Sequence, residues 1–238
     1  MNGVVEDKLQ PKQDHWLGEP VIRKQGTFDQ VADVIPRFRR RPFALFTLPR
    51  SSAELTSLVG ENPYYDEVVR LNDEGQEEVP VGIVSKSYRL IQHRDLFQAT
   101  VSALNKAEVP LSRVTTFLTL TRFGGRMALG FVFPAEYGFD PGDGHPIHRR
   151  LECLNSVEGS TRLLFLISWY RLICSNGLMT RVKLVDEAMI HTENAEIPDI
   201  NGLVRDAIDS IEAERLHYTR QIQTRIDDSK LRAWRTEP

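Results

Sequence analysis

The stretch Val114–Phe133, VTTFLTLTRFGGRMALGFVF, decides how this chain is read. Val114, Thr116, Leu118 and Leu120 alternate with Thr115, Phe117 and Thr119, the period of a strand with two distinct faces. Phe123-Gly124-Gly125 supplies a turn, because glycine enters positive φ without a Cβ clash. Met127, Leu129, Phe131 and Phe133 then share one face of a return strand. An antiparallel hairpin is expected.

Working outward, two long strands are expected at Ile147–Leu154 and Arg162–Cys174, joined by Asn155–Ser160. Asn176-Gly177 is a turn signal, and Leu178–Val185 can return as another strand. Upstream, Glu67–Leu71 and Val79–Ser85 flank the turn Asn72–Gly75. Tyr88–Gln92 extends that strand or starts a new one. Asp95 can cap a helix carrying Phe97, Val101 and Leu104, ending near Val109-Pro110. A short helix from Thr27 stops at Pro36, and Ala44–Gly60 is ambiguous. Asp199 to about Ile226 reads as one long helix bearing Leu203, Ala207, Ile211 and Leu216. Together these predict an α+β fold: a curved, mostly antiparallel sheet with helices packed on one face. Residues 1–45 are expected to form an N-terminal arm with a short helix and a basic run. Residues 46–238 are expected to form the α+β domain, ending in the long C-terminal helix.

Composition narrows the function classes. At 238 residues, with 41% hydrophobic and 26% charged side chains, the chain can bury a core and is not a disordered coat. A net charge of −3 excludes a uniformly basic nucleic-acid coat and leaves room for a local basic patch. Cys153 and Cys174 are the two cysteines, too few for a disulfide framework, which fits a reducing compartment. The polar N-terminus lacks the apolar core of a signal peptide, so a cytoplasmic protein without membrane contact is expected.

Asn155-Ser156, Gly159-Ser160 and Arg171-Leu172-Ile173-Cys174-Ser175-Asn176-Gly177 together resemble the phage/plasmid-like proteins grouped as domain of unknown function 932. Tyr88–Phe97 is similar to that family's Tyr-x-hydrophobic-x-Gln-Asn/His segment, and His191 matches a histidine that follows its Asn-Gly turn. The resemblance covers roughly residues 64 to 226. The N-terminal arm has no counterpart, and the chain stops before the family's usual C-terminal segment. The resemblance implies carriage by phages, plasmids and other mobile elements, and it supplies no activity.

Cys174 as a nucleophile needs a base to form its thiolate, and His191 is the one candidate near it in sequence. The alternative is a small buried residue beside a hairpin turn. His145 and His148, with Asp140 and Asp143, offer metal-ligand chemistry, but a zinc site needs about four convergent ligands and Pro146 stiffens the spacing. The Asn155–Ser160 loop can cradle a phosphate through backbone N–H groups or satisfy its own turn. No phosphate-binding loop, dinucleotide fingerprint, nucleophile elbow or zinc-protease motif occurs. Neither catalytic residue nor metal ligand nor cofactor is assigned, and a non-enzymatic protein is expected.

Positive charge is the most suggestive feature. Arg37, Arg39, Arg40 and Arg41 cluster ahead of the sheet; Arg149, Arg150, Arg162, Arg171, Arg181 and Lys183 lie on its expected strands. With Trp169 or Tyr170 beside them, such a face suits single-stranded DNA, cations on phosphate and rings on bases. The leading expectation is therefore an accessory nucleic-acid-binding protein of a mobile element, with a homo-oligomer among the forms it can take. Two alternatives are a protein–protein effector, such as an inhibitor of a host defence complex, and a cryptic enzyme.

Overall fold

A computed structural model describes residues 15–16, 19–46, 58–140, 144, 146–172 and 179–223. The elements run β1 (His15–Trp16), β2 (Glu19–Gly26), α1 (Phe28–Ala32), β3 (Arg37–Phe46), β4 (Leu58–Leu71), β5 (Glu77–Ser85) and α2 (His93–Lys106). They continue with β6 (Thr115–Thr121), β7 (Arg126–Val132), β8 (Ile147–Ser156), β9 (Leu163–Leu172), β10 (Met179–Met189), α3 (Ile200–Asp209) and α4 (Ile211–Gln223).

The fold is α+β, built on two antiparallel sheets. One is ordered β1-β2-β6-β7-β8-β9-β10 and the other β3-β4-β5. The expected hairpin is the β6–β7 pair, with Leu118 opposite Leu129 and Gly124 at φ +77° in the turn. Leu118, Leu120, Met127, Leu129, Leu151 and Phe165 turn one face of the large sheet into a core. Against it pack Val31 of α1, Leu96 and Leu104 of α2, and Leu203 and Val204 of α3. A second, smaller core joins the sheets: Phe38, Val68 and Val84 from the three-stranded sheet meet Tyr88 and Val157.

Several expectations change. Residues 19–26 are not an arm: β2 pairs with β6, placing Ile22 opposite Leu120 and Lys24 opposite Leu118. A polar strand near a sheet edge is held by backbone bonds, so its composition does not announce it. The expected boundary at residue 45 falls inside β3. Tyr88–Gln92 is not a strand; its Tyr88 N–H closes a turn onto the Ser85 carbonyl at 3.0 Å. Gln92, not Asp95, stands at the helix N-cap position, and Asp95 lies in the first turn of α2. The C-terminal helix breaks at Ser210 into α3 and α4. Residues 1–14, 47–57 and 224–238 lie outside the described residues, so the arm's first part and the helix's last turn are not placed.

The break at Ser210 accompanies a buried charge. Arg149, expected among the DNA-binding cations, is fully buried on the helix side of the sheet. Its guanidinium lies 3.9 Å from the centre of the Trp169 ring. Glu214 of α4 pairs with it at 3.3 Å, and Ser210 Oγ accepts a bond from it at 3.2 Å. The Trp169 indole N–H also donates to Glu214. Removing one partner of such a pair strands the other charge in the interior. Glu214→Gln is therefore expected to lower stability by about 3 kcal/mol, read as a fall in the urea midpoint. Replacing Arg149 and Glu214 together by leucine should recover much of that loss.

Candidate functional site

Six residues of the family-like motifs come together where the two sheets meet. Asn155, at the end of β8, is fully buried. Its amide Nδ2 donates to the Ile91 carbonyl at 3.0 Å and to His93 Nδ1 at 2.9 Å. His93 Nε2 then faces the Gly124 carbonyl at 2.8 Å, so the imidazole is neutral, with its proton on Nε2. Ser156 Oγ donates to the Thr161 carbonyl at 2.8 Å and accepts from the Thr161 N–H at 2.9 Å, closing the β8–β9 loop. The Tyr88 hydroxyl donates to the Ser156 carbonyl at 2.8 Å, and the Tyr88 ring stacks on His191 with centroids 5.0 Å apart. Gln92 reads Phe38 as a neighbouring strand would: it accepts from the Phe38 N–H at 3.1 Å and donates to the Phe38 carbonyl at 2.8 Å.

The loop itself is self-satisfied. Gly159 adopts φ +84°, and the Glu158 carboxylate accepts from the Ser160 N–H and hydroxyl at 2.7 and 2.6 Å. Glu158 also pairs with Arg126 at 2.6 Å. A pocket of about 630 Å³ opens beside these groups, but a carboxylate already occupies the donors a phosphate would need. A Cβ at Gly82 would lie within 3.1 Å of Glu158 Cα, so the three-stranded sheet approaches this loop through a residue without a side chain.

Among the described side chains, the arginines do not form an open cationic wall. On β3, Arg39 binds Glu77, and Arg41 binds Glu67 at 2.7 Å and also Glu77. Arg40 binds Asp66 at 2.6 Å and donates to the Lys86 and Tyr88 carbonyls. Burial works to raise the Asp66 carboxyl, but hydrogen bonds from Lys86 and Arg40 outweigh it and hold it low. The Arg39 hydrogen bond holds Glu77 below the usual carboxylate range. Arg149 is buried against Trp169, and Arg150 pairs with Glu152 at 2.9 Å. Arg37 and Arg162 are exposed, and no carboxylate among the described residues lies within ion-pair distance of either. The register sets Arg181 opposite Tyr170, Lys183 opposite Ser168 and Arg171 opposite Ile147; those three cations have no described side chain.

Cys174, Asn176, Gly177, Asp143 and His145 lie outside the described residues. Among the described residues, no three His, Cys, Asp or Glu side chains converge as metal ligands, and no helix is long and apolar enough to cross a membrane. Cys153 is buried in the core, which pushes its thiol far above the ordinary range.

Sequence reasoning missed an exposed apolar group at the far end of the three-stranded sheet. Phe46 and Val59 are 58% and 65% exposed, Tyr64 73%, Tyr65 48% and Ile83 52%. The β3–β4 register jumps from the Pro42–Asp66 pair to the Ala44–Glu61 pair, so Asn62–Tyr65 bulges out of the ladder. Asn62 Oδ1 fixes the bulge by accepting from the Tyr64 and Tyr65 N–H groups at 2.9 and 3.1 Å. Asn62-Pro63 ahead of two tyrosines is a turn signal that would have found it. No family model, curated protein or solved structure matches the chain.

Burial lowers the His93 pKa to about 4, against an ordinary value near 6.5. Between those values the unfolded chain binds the proton and the folded chain resists it, so stability falls as pH drops through that window. Above it the contribution is complete. A loss of up to roughly 3 kcal/mol follows from ~1.4 kcal/mol per pKa unit. Urea titrations at pH 7.5 and 4.5 should show it, and His93→Gln should flatten this part of the difference.

Proposed function

We propose that the chain is a non-enzymatic accessory protein that grips another polypeptide through the distal end of its three-stranded sheet. Its carriage by a phage, plasmid or other mobile element is what the resemblance to domain of unknown function 932 implies. A host protein complex, such as a defence assembly, is the partner that setting suggests.

One observation carries this reading: the Asn62–Tyr65 bulge interrupts the β3–β4 ladder, and along this half of the sheet Phe46, Val59, Tyr64, Tyr65 and Ile83 are large apolar side chains left to solvent. Large apolar side chains exposed along one small sheet, with charge beside them, are the anatomy of a protein contact. The rim is the row Arg39, Arg41, Glu67 and Glu77, in which both signs alternate and each charge is already partnered. Such a rim matches a polypeptide carrying both signs. It suits a polyanion poorly, because phosphate gains most from cations whose counterions it can release. Single-stranded nucleic acid, the first expectation, therefore ranks second.

A photo-crosslinking residue in place of Tyr64 tests the proposal, with the same residue at Gln98 on the exposed side of α2 as control. One host protein should cross-link from position 64 and not from 98. The double substitution Tyr64→Ser with Ile83→Asp should weaken its binding about a hundredfold while leaving the unfolding midpoint unchanged. Equal cross-linking from both positions would overturn the proposal, as would binding of single strands that falls steeply with salt. A homodimer broken by the double substitution would reassign the patch to a second copy of the chain.

A further inference from the structure

A different pocket, of about 460 Å³, lies at the opposite end of the three-stranded sheet, where its base meets β2, α1 and α2. Leu118 and Leu120 line it as buried residues, while Ile22 and Val34 stand half-exposed at its sides. Lys24, Arg37, Arg70 and Arg94 all line it. Arg70 pairs with Glu78 at 3.1 Å. The other three have no carboxylate within ion-pair distance among the described residues, unlike the paired arginines further along β3.

Arg94 is the most constrained of them. One terminal nitrogen donates to the Ala32 and Ile35 carbonyls at 3.2 and 3.4 Å, which fixes the guanidinium against the end of α1. Its Nε is buried with no hydrogen-bond partner. That N–H is closed off from the pocket, but the other terminal nitrogen donates to no described residue and is the one an anionic oxygen in the pocket can meet. The pocket's charge then selects among anions. Four cations face three carboxylates, Asp33, Asp73 and Glu78, leaving a formal +1. That balance suits one phosphoryl group rather than a run of them. The volume falls in the range of small-ligand sites, and Ile22 and Val34 offer apolar surface for the body of the ligand.

We infer that this pocket binds a phosphomonoester of about nucleotide size, its phosphoryl group held by Arg94, Arg37 and Lys24 and its body lying against Ile22 and Val34. The group can come from a free mononucleotide or from the 5′ end of a strand, which offer the same chemistry. The site is separate from the polypeptide contact and does not depend on it.

Titration calorimetry on the full chain tests the inference with thymidine 5′-monophosphate, thymidine, and oligothymidylate with and without a 5′ phosphate. The monophosphate should bind once per chain, with thymidine at least about tenfold weaker. Lys24→Gln combined with Arg37→Gln should weaken the monophosphate by about tenfold or more without changing the unfolding midpoint, because both side chains are exposed. Arg94→Lys, which keeps the charge and loses the fork, should also weaken it. Tyr64→Ser should change nothing here, which keeps the two proposals distinguishable. If the 5′-phosphorylated strand binds like the mononucleotide, the source is a strand end; if only the mononucleotide binds, it is the free nucleotide. Equal binding of thymidine, no saturable binding at millimolar concentration, or indifference to the Lys24/Arg37 double substitution would overturn the inference.

Discussion

The join between the two sheets depends on a buried amide. Asn155 lies where water does not reach, so each of its polar atoms needs a protein partner or carries a cost of about 1–3 kcal/mol. Its Nδ2 finds two acceptors, and one of them is an imidazole nitrogen that accepts only while it is unprotonated. That requirement fixes the His93 tautomer, which in turn ties α2 to the β6–β7 turn through the Gly124 carbonyl. Tyr88 and Gln92, on the same short segment, then reach the β8–β9 loop and the edge of β3. A segment of a few residues thus holds three elements by side-chain bonds, where no strand ladder among the described residues runs between the sheets.

This gives the family-like motif a physical content. Asn155, Ser156 and His191, together with Tyr88, Gln92 and His93, are fasteners: their partners are backbone carbonyls, backbone N–H groups and one another. Gly159 serves the loop's positive φ, and Ser160 answers to Glu158. The unpartnered polar atoms here, Asn155 Oδ1 and His191 Nε2, are buried among these contacts.

What the sequence made legible is what local rules govern. Period-two alternation located β6 and β7, the 3–4 spacing located α2, and Gly124 marked its turn. Long-range pairing was not legible. Nothing near Arg41 indicates that register sets Glu67 opposite it, or that Glu77 reaches both Arg39 and Arg41 from a third strand. The run Arg37–Arg41 therefore read as a patch of one sign, although three of its four arginines, Arg39, Arg40 and Arg41, meet carboxylates from β4 and β5. Arg149 failed for the same reason in a stronger form: its partner Glu214 comes from a helix 65 residues later. The polar β2 was misread because backbone bonds leave no trace in side-chain pattern.

Alternation along β3 also explains why charge behaves differently at its two ends. Phe38 and Arg40 face the small core and its Asp66, whereas Arg39 and Arg41 lie on the opposite side with Glu67. Those middle positions sit between β4 neighbours and meet carboxylates at fixed register. Arg37, at the first position, is paired only with Leu71, where β4 gives way to the turn at Asn72. It has run out of ladder, so its charge is left for whatever enters the pocket. At the other end, some ten residues and about 30 Å away at ~3.3 Å per residue, the ladder is interrupted by the Asn62 bulge and the side chains turn apolar. One strand thus carries a cationic end and an apolar end, separated by a stretch whose charges are mutually cancelled. That middle stretch keeps the two surfaces chemically distinct, because neither an anion nor an apolar partner gains by sliding toward it.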